Sequence, residues 1–140
     1  MRQRLGITLA CVTLALIGLA LMLPQLAVTA QESEVIERGR EIYRQHCASC
    51  HGVDAKGHGP AADALKKNPP DLTLIQKKGE KFPFDEVMNI IDGETVISAH
   101  GSREMPVWGT IFRKAKGEML AHLDIYALTK YIESIQRHRP

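Results

Sequence analysis

Residues 34–51 read EVIERGREIYRQHCASCH, and two patterns meet in them. Val35, Ile36, Gly39, Ile42, Tyr43 and His46 recur at three- and four-residue steps, the spacing that puts apolar side chains on one face of a helix. Glu37, Arg40, Glu41 and Arg44 fill the opposite face. Ser33 is expected to cap the helix, with Glu34 and Glu37 placing negative charge on its first turn, where the helix dipole favours it. The helix then runs directly into Cys47-Ala48-Ser49-Cys50-His51, a C-x-x-C-H run.

That run is the pattern of c-type haem attachment. On a helix end the thiols of Cys47 and Cys50 stand one turn apart and can reach two vinyl groups on one porphyrin edge. The next residue, His51, then projects its imidazole toward the iron. A redox dithiol of the thioredoxin kind would need a βαβ context, and no alternating strand pattern is present. A structural zinc site would need further ligands, and the only other cysteine, Cys11, lies in an apolar leader.

Downstream, residues 52–70 are punctuated by Gly52, Gly57, Gly59, Pro60, Pro69 and Pro70, which predicts a loop, with room for a short helical turn around Ala61 to Lys66. A second helix is expected to begin near Pro83, to carry the stripe Phe84, Val87, Met88 and Ile91, and to stop at Gly93. Residues 94–106 read as another loop leading to Val107-Trp108-Gly109. The last helix, about Met119 to Gln136, is expected to bury Leu120, Leu123, Ala127, Leu128, Tyr131, Ile132 and Ile135. The fold class is therefore all-α. So few helices leave a thin core, and a chain this small commonly needs a staple to be stable. A covalently held haem would fill that role.

Upstream, Arg2 and Arg4 precede Leu5 to Leu23, which holds no charged residue; Pro24 and the small residues Val28-Thr29-Ala30 follow. Such a segment exports the chain. It is either a signal peptide cut after Ala30 or an N-terminal membrane anchor, since nineteen uncharged residues approach the length of a spanning helix. Residues 1–30 are thus assigned to the leader and 31–140 to one domain, with Pro24 to Ser33 as a short tether and a location in the periplasm or on the outer face of the cytoplasmic membrane. Beyond the leader, Lys plus Arg equals Asp plus Glu, sixteen each. A neutral domain of this kind argues against nucleic acid as a partner.

The domain resembles the class I cytochromes c over nearly its whole length. Gly39, Tyr43 and Cys47 match that family's first-helix spacing, and Leu128, Tyr131 and Ile132 match the residues its last helix packs against the glycine. The resemblance implies a small cytochrome c fold in which the N- and C-terminal helices cross over a single covalent haem. It further implies that the carbonyl of Pro60, in Gly59-Pro60, accepts the N–H of the proximal His51, and that the second axial ligand is Met105 of the Met105-Pro106 pair. Met88, on a helical stripe, and Met119, at the start of the last helix, read instead as packing or surface residues. Arg103 and Trp108 are candidates for the haem propionates, an arginine by bidentate donation and an indole through its N–H; the plainer readings are a solvated arginine and a tryptophan packed on the porphyrin. His58 and His100 read as exposed loop residues and His46 as a surface or partly buried one. Lys66, Lys67, Lys77, Lys78 and Lys81 form either a solvated face or a ring that steers acidic partners. The function so implied is one-electron transfer between redox protein donors and acceptors, by a carrier and not an enzyme, since His/Met ligation leaves no open iron position. The alternatives are a haem subunit tethered to a membrane oxidoreductase by residues 5–23 and, third, a small haem enzyme.

Overall fold

The computed structural model describes residues 29–76, 79–93 and 105–137. The chain divides into two units, Met1–Glu34 and Val35–Pro140. Of the first, the described residues 29–34 are helical and exposed. The described part of the second is all-helical. Helix α1 covers residues 29–46, α2 Ala48–His51, α3 Phe84–Asp92, α4 Trp108–Lys116 and α5 Glu118–Ser134, with 3-10 turns at Ala62–Ala64 and Leu72–Leu74.

Helix α1 buries Gly39, Ile42 and Tyr43 and lays Val35 and Ile36 against the core, the face its spacing predicts. Ser33 does not cap it. The helix already runs at residue 29, because Thr29 to Glu32 include neither glycine nor proline to halt it and a serine costs little inside a helix. The expected tether is therefore helical from residue 29 onward.

Gly39 decides how α1 and α5 cross. A Cβ placed there would run into the Ala127 carbonyl and stand 2.8 Å from the Tyr131 Cβ. Only a glycine permits this approach, and beside it the rings of Tyr43 and Tyr131 meet at 5.3 Å. Gly39→Val is expected to cost about 3 kcal/mol or more, the upper end for overpacking, because backbone rather than a flexible side chain must give way. Denaturant unfolding of Gly39→Val beside the parent measures this. Equal midpoints would show that the two helices can separate without loss.

Helix α3 begins after Pro83 and ends at Gly93, whose φ of 90° is the left-handed conformation that closes helices. Its bounds and its buried Val87 and Ile91 agree with the sequence reading. Helix α4 was not anticipated. Gly109 and Thr110 weaken its propensity, and the helix forms because Phe112, 2% exposed, is buried in the core. Its sequence trace is modest: Trp108 and Phe112 four apart, then Arg113, Lys114 and Lys116 in the last turn.

Helix α5 occupies its expected span, but Leu120 and Leu123 do not face inward. They are 46% and 45% exposed, while Ala121, Asp124, Ile125, Leu128 and Ile132 are buried. Ala127, Leu128, Tyr131 and Ile132 are buried as expected, so only the first two turns depart from the predicted face. The reason is Asp124, 1% exposed, whose Oδ1 accepts from Arg38 Nε at 2.9 Å and whose Oδ2 accepts from Lys116 Nζ at 2.7 Å. A carboxylate is not normally a core residue. Cations from α1 and from the end of α4 make it one.

Candidate functional site

The C-x-x-C-H run sits where α1 turns into α2. Cys47 occupies the turn, its N–H bonded to the Tyr43 carbonyl at 2.8 Å, and the His51 N–H reaches back to the Cys47 carbonyl at 2.9 Å. Gly52, at φ 81°, ends the short helix, and its carbonyl accepts from the Tyr43 hydroxyl at 2.7 Å. The following loop folds back over α2. Gly57 N–H donates to His51 O, Gly59 N–H to Cys50 O and Ala61 N–H to Ser49 O, so the loop satisfies carbonyls that a helix end leaves open. A Cβ on Gly59 would stand 2.7 Å from the Ala48 carbonyl oxygen, so the loop backbone lies directly on the motif.

The two thiols are free, Cys47 buried and Cys50 partly so. Burial, with a smaller contribution from Cys50, pushes the Cys47 thiol up to about 12. A redox dithiol works through a lowered thiol pKa, and burial moves Cys47 the other way. Among the described residues no group of three or more His, Cys, Asp or Glu side chains is arranged to hold a metal ion.

His51 is partly buried, and its Nδ1 is buried without a completed hydrogen bond. Burial lowers its pKa; the backbone of Pro70, which can offer only a carbonyl oxygen, acts in the opposite direction. The imidazole is thereby biased toward the neutral form that binds a metal. The backbone that acts on the ring is that of Pro70, where that of Pro60 was expected. Gly59 packs closely on α2, and Pro60 after it is exposed, as is Pro70. The chain returns through Pro69, whose carbonyl lies against Gly57, and so brings Pro70 to the histidine.

Met105 is partly buried and packed against the core just ahead of α4. Met88 packs against the core from α3, and Met119 is 76% exposed. Trp108 opens α4 and lies 5.2 Å from the His46 ring and 5.7 Å from Phe112. The partly buried His46 thus belongs to an aromatic cluster beside Cys47. His58 is exposed. Arg103, His100, Lys77 and Lys78 lie outside the described residues. Sequence reasoning passed over Pro70 although Pro70-Asp71-Leu72 offered a second proline, and it passed over Asp124 because no local pattern marks it.

The residues present fit a haem of the c type: two adjacent thiols, a half-buried histidine with an orphaned ring nitrogen, and partly buried Met105 and Trp108 at the core's margin. Two thiols and a histidine at this spacing in a small helical domain are the attachment pattern of a c-type haem. The family model described as "Cytochrome c" matches residues 36–136. The chain accordingly belongs to the cytochrome c family, and that membership implies haem c as its cofactor and supports haem-based electron transfer. It is 25% identical over 108 residues to a protein named cytochrome c550 from Pseudomonas aeruginosa, covering 76% of this chain and 59% of that one. This chain therefore matches somewhat more than half of that relative's length. No solved structure matches.

Proposed function

We propose that this chain is an exported monohaem cytochrome c that carries single electrons between redox proteins, with one haem bound covalently through Cys47 and Cys50 and ligated by His51 and Met105. The supporting observation is the C-x-x-C-H run held at the α1–α2 turn, with the half-buried His51 ring beside the Pro70 carbonyl. When bound, haem c supplies a one-electron couple at its iron. His51 contributes a neutral nitrogen donor, and a hydrogen bond to Pro70 would fix the ring and raise its basicity. Met105 would contribute a soft thioether that favours the reduced metal, which suits a carrier over an enzyme. The rings of Trp108 and His46 form a tilted pair, with His46 next to Cys47 in the chain.

Intact mass under denaturing conditions tests the central claim. Correctly matured protein is expected to exceed its polypeptide by one haem, and the free polypeptide mass would overturn covalent attachment. The same spectrum reads whether residues 1–30 are removed. Among the described residues no helix is long and apolar enough to cross a membrane; residues 5–23 lie outside them. If mass shows the leader retained, the same domain works as a tethered haem subunit, its redox partners within reach of the membrane surface.

A further inference from the structure

We propose that Asp92, Gly109 and Arg113 are positioning residues for Met105, fixing where its thioether stands by pinning the start of α4 to the end of α3. This rests on the reading of Met105 as an iron ligand. Gly109 is buried against Asp92: a Cβ there would overlap the Asp92 carboxylate and stand 2.5 Å from its backbone carbonyl oxygen. One helical turn later, Arg113 Nη1 donates to Asp92 Oδ1 at 2.6 Å, with the Asp92 side chain 14% exposed and that of Arg113 31%. The Asp92 carboxylate thus packs against Gly109 and accepts from Arg113 one turn further along α4. The Arg113 cation also sits at the C-terminal end of α3, where the helix dipole favours it.

Met105 is only four residues upstream of Gly109, and little of that distance is slack. Pro106 has a fixed φ, and the Ile111 N–H already reaches the Val107 carbonyl at 3.3 Å, so the helix geometry begins at Val107. A shift of α4 against α3 is therefore carried almost undiminished to residue 105. A thioether is a weak donor whose hold on a metal depends on such placement. The sequence shows none of this, because Asp92 and Arg113 stand in different helices 21 positions apart.

The test uses the oxidised, full-length holoprotein, titrated with imidazole while the weak sulfur-to-iron charge-transfer band is followed. Added imidazole competes with Met105, so a loosened methionine raises its apparent affinity. Arg113→Ala is expected to raise that affinity about tenfold or more, the size of one lost charge-assisted hydrogen bond. Arg113→Lys, which can still donate to Asp92, should recover most of the loss. Gly109→Ala is expected to weaken the band even without imidazole. Lys114→Ala, on the exposed side of α4, should leave both readings unchanged. Gly109→Ala risks misfolding, so Arg113→Ala decides. If it lowers the melting temperature while imidazole affinity stays within about twofold of the parent, the pair is merely structural and the proposal is overturned. If Met105→Ala itself keeps the band, the ligand assignment falls and this proposal with it; if Met105→Ala loses the band and Arg113→Ala behaves as the parent does, only the positioning role falls.

Discussion

Met105→Ala is expected to abolish the sulfur-to-iron band of the oxidised protein and to lower the reduction potential by about 0.2 V, part of the roughly 0.8 V range that axial ligands control. Removing the thioether takes away a soft neutral donor that favours reduced iron and leaves the sixth position to water or a stray nitrogen. The reduced variant should then bind carbon monoxide, which a six-coordinate carrier resists. Electrochemistry and a carbon monoxide titration on one preparation read both effects. Met88→Ala and Met119→Ala serve as comparisons: the first removes a core-packing side chain, the second a side chain that is 76% exposed. If either of them loses the band while Met105→Ala retains it, the methionine assignment is wrong and the carrier reading survives. If the parent already binds carbon monoxide readily, the carrier reading itself gives way to an enzymatic one.

The second large effect concerns stability and centres on Asp124. Removing both of its partners, as Arg38→Leu with Lys116→Leu, is expected to cost about 3–5 kcal/mol, because it strands a buried carboxylate. Removing the carboxylate, as Asp124→Asn, should cost less, about 1–3 kcal/mol, since Arg38 and Lys116 are 49% and 44% exposed and can turn to water. The asymmetry identifies burial of charge, not the ion pairs themselves, as the dominant energy. Acid provides an independent check. Burial alone would raise the Asp124 pKa, but hydrogen bonds and charge from Lys116 and Arg38 outweigh it and hold the carboxyl below its ordinary 3.8. A lowered folded pKa means that this contribution is complete above the unfolded value and is lost as pH falls through the folded one. In the double variant burial acts unopposed, the pKa rises and the sign reverses, so protonation relieves the variant. The stability gap between parent and double variant should therefore narrow as pH falls, first through the variant's raised pKa, above the ordinary 3.8, and then through the parent's lowered one. A gap independent of pH from 7 to 3 would show that Asp124 is not the group responsible.

By itself the sequence determined the helical class, the α1 face, the span of α3, the position of α5 and the C-x-x-C-H run. Each of these is encoded locally, in a 3.6-residue period, a stop residue or a fixed spacing of donors, and needs no distant partner to be read. The crossing at Gly39 was legible through the match of Gly39, Tyr43 and Tyr131 to a known family pattern. Only the tertiary structure chose between the two prolines. Pro60 and Pro70 have equal chemistry and are both exposed, and the close approach of Gly57 to Pro69 and of Gly59 to α2 sets the loop path that brings the Pro70 backbone to His51. It also formed α4, whose propensity is weak until Phe112 finds the core, and it set the first two turns of α5 so that a carboxylate lies inside while Leu120 and Leu123 face water. A buried charge depends on cations far along the chain, here Arg38 at 86 residues' separation, and no local pattern holds that information.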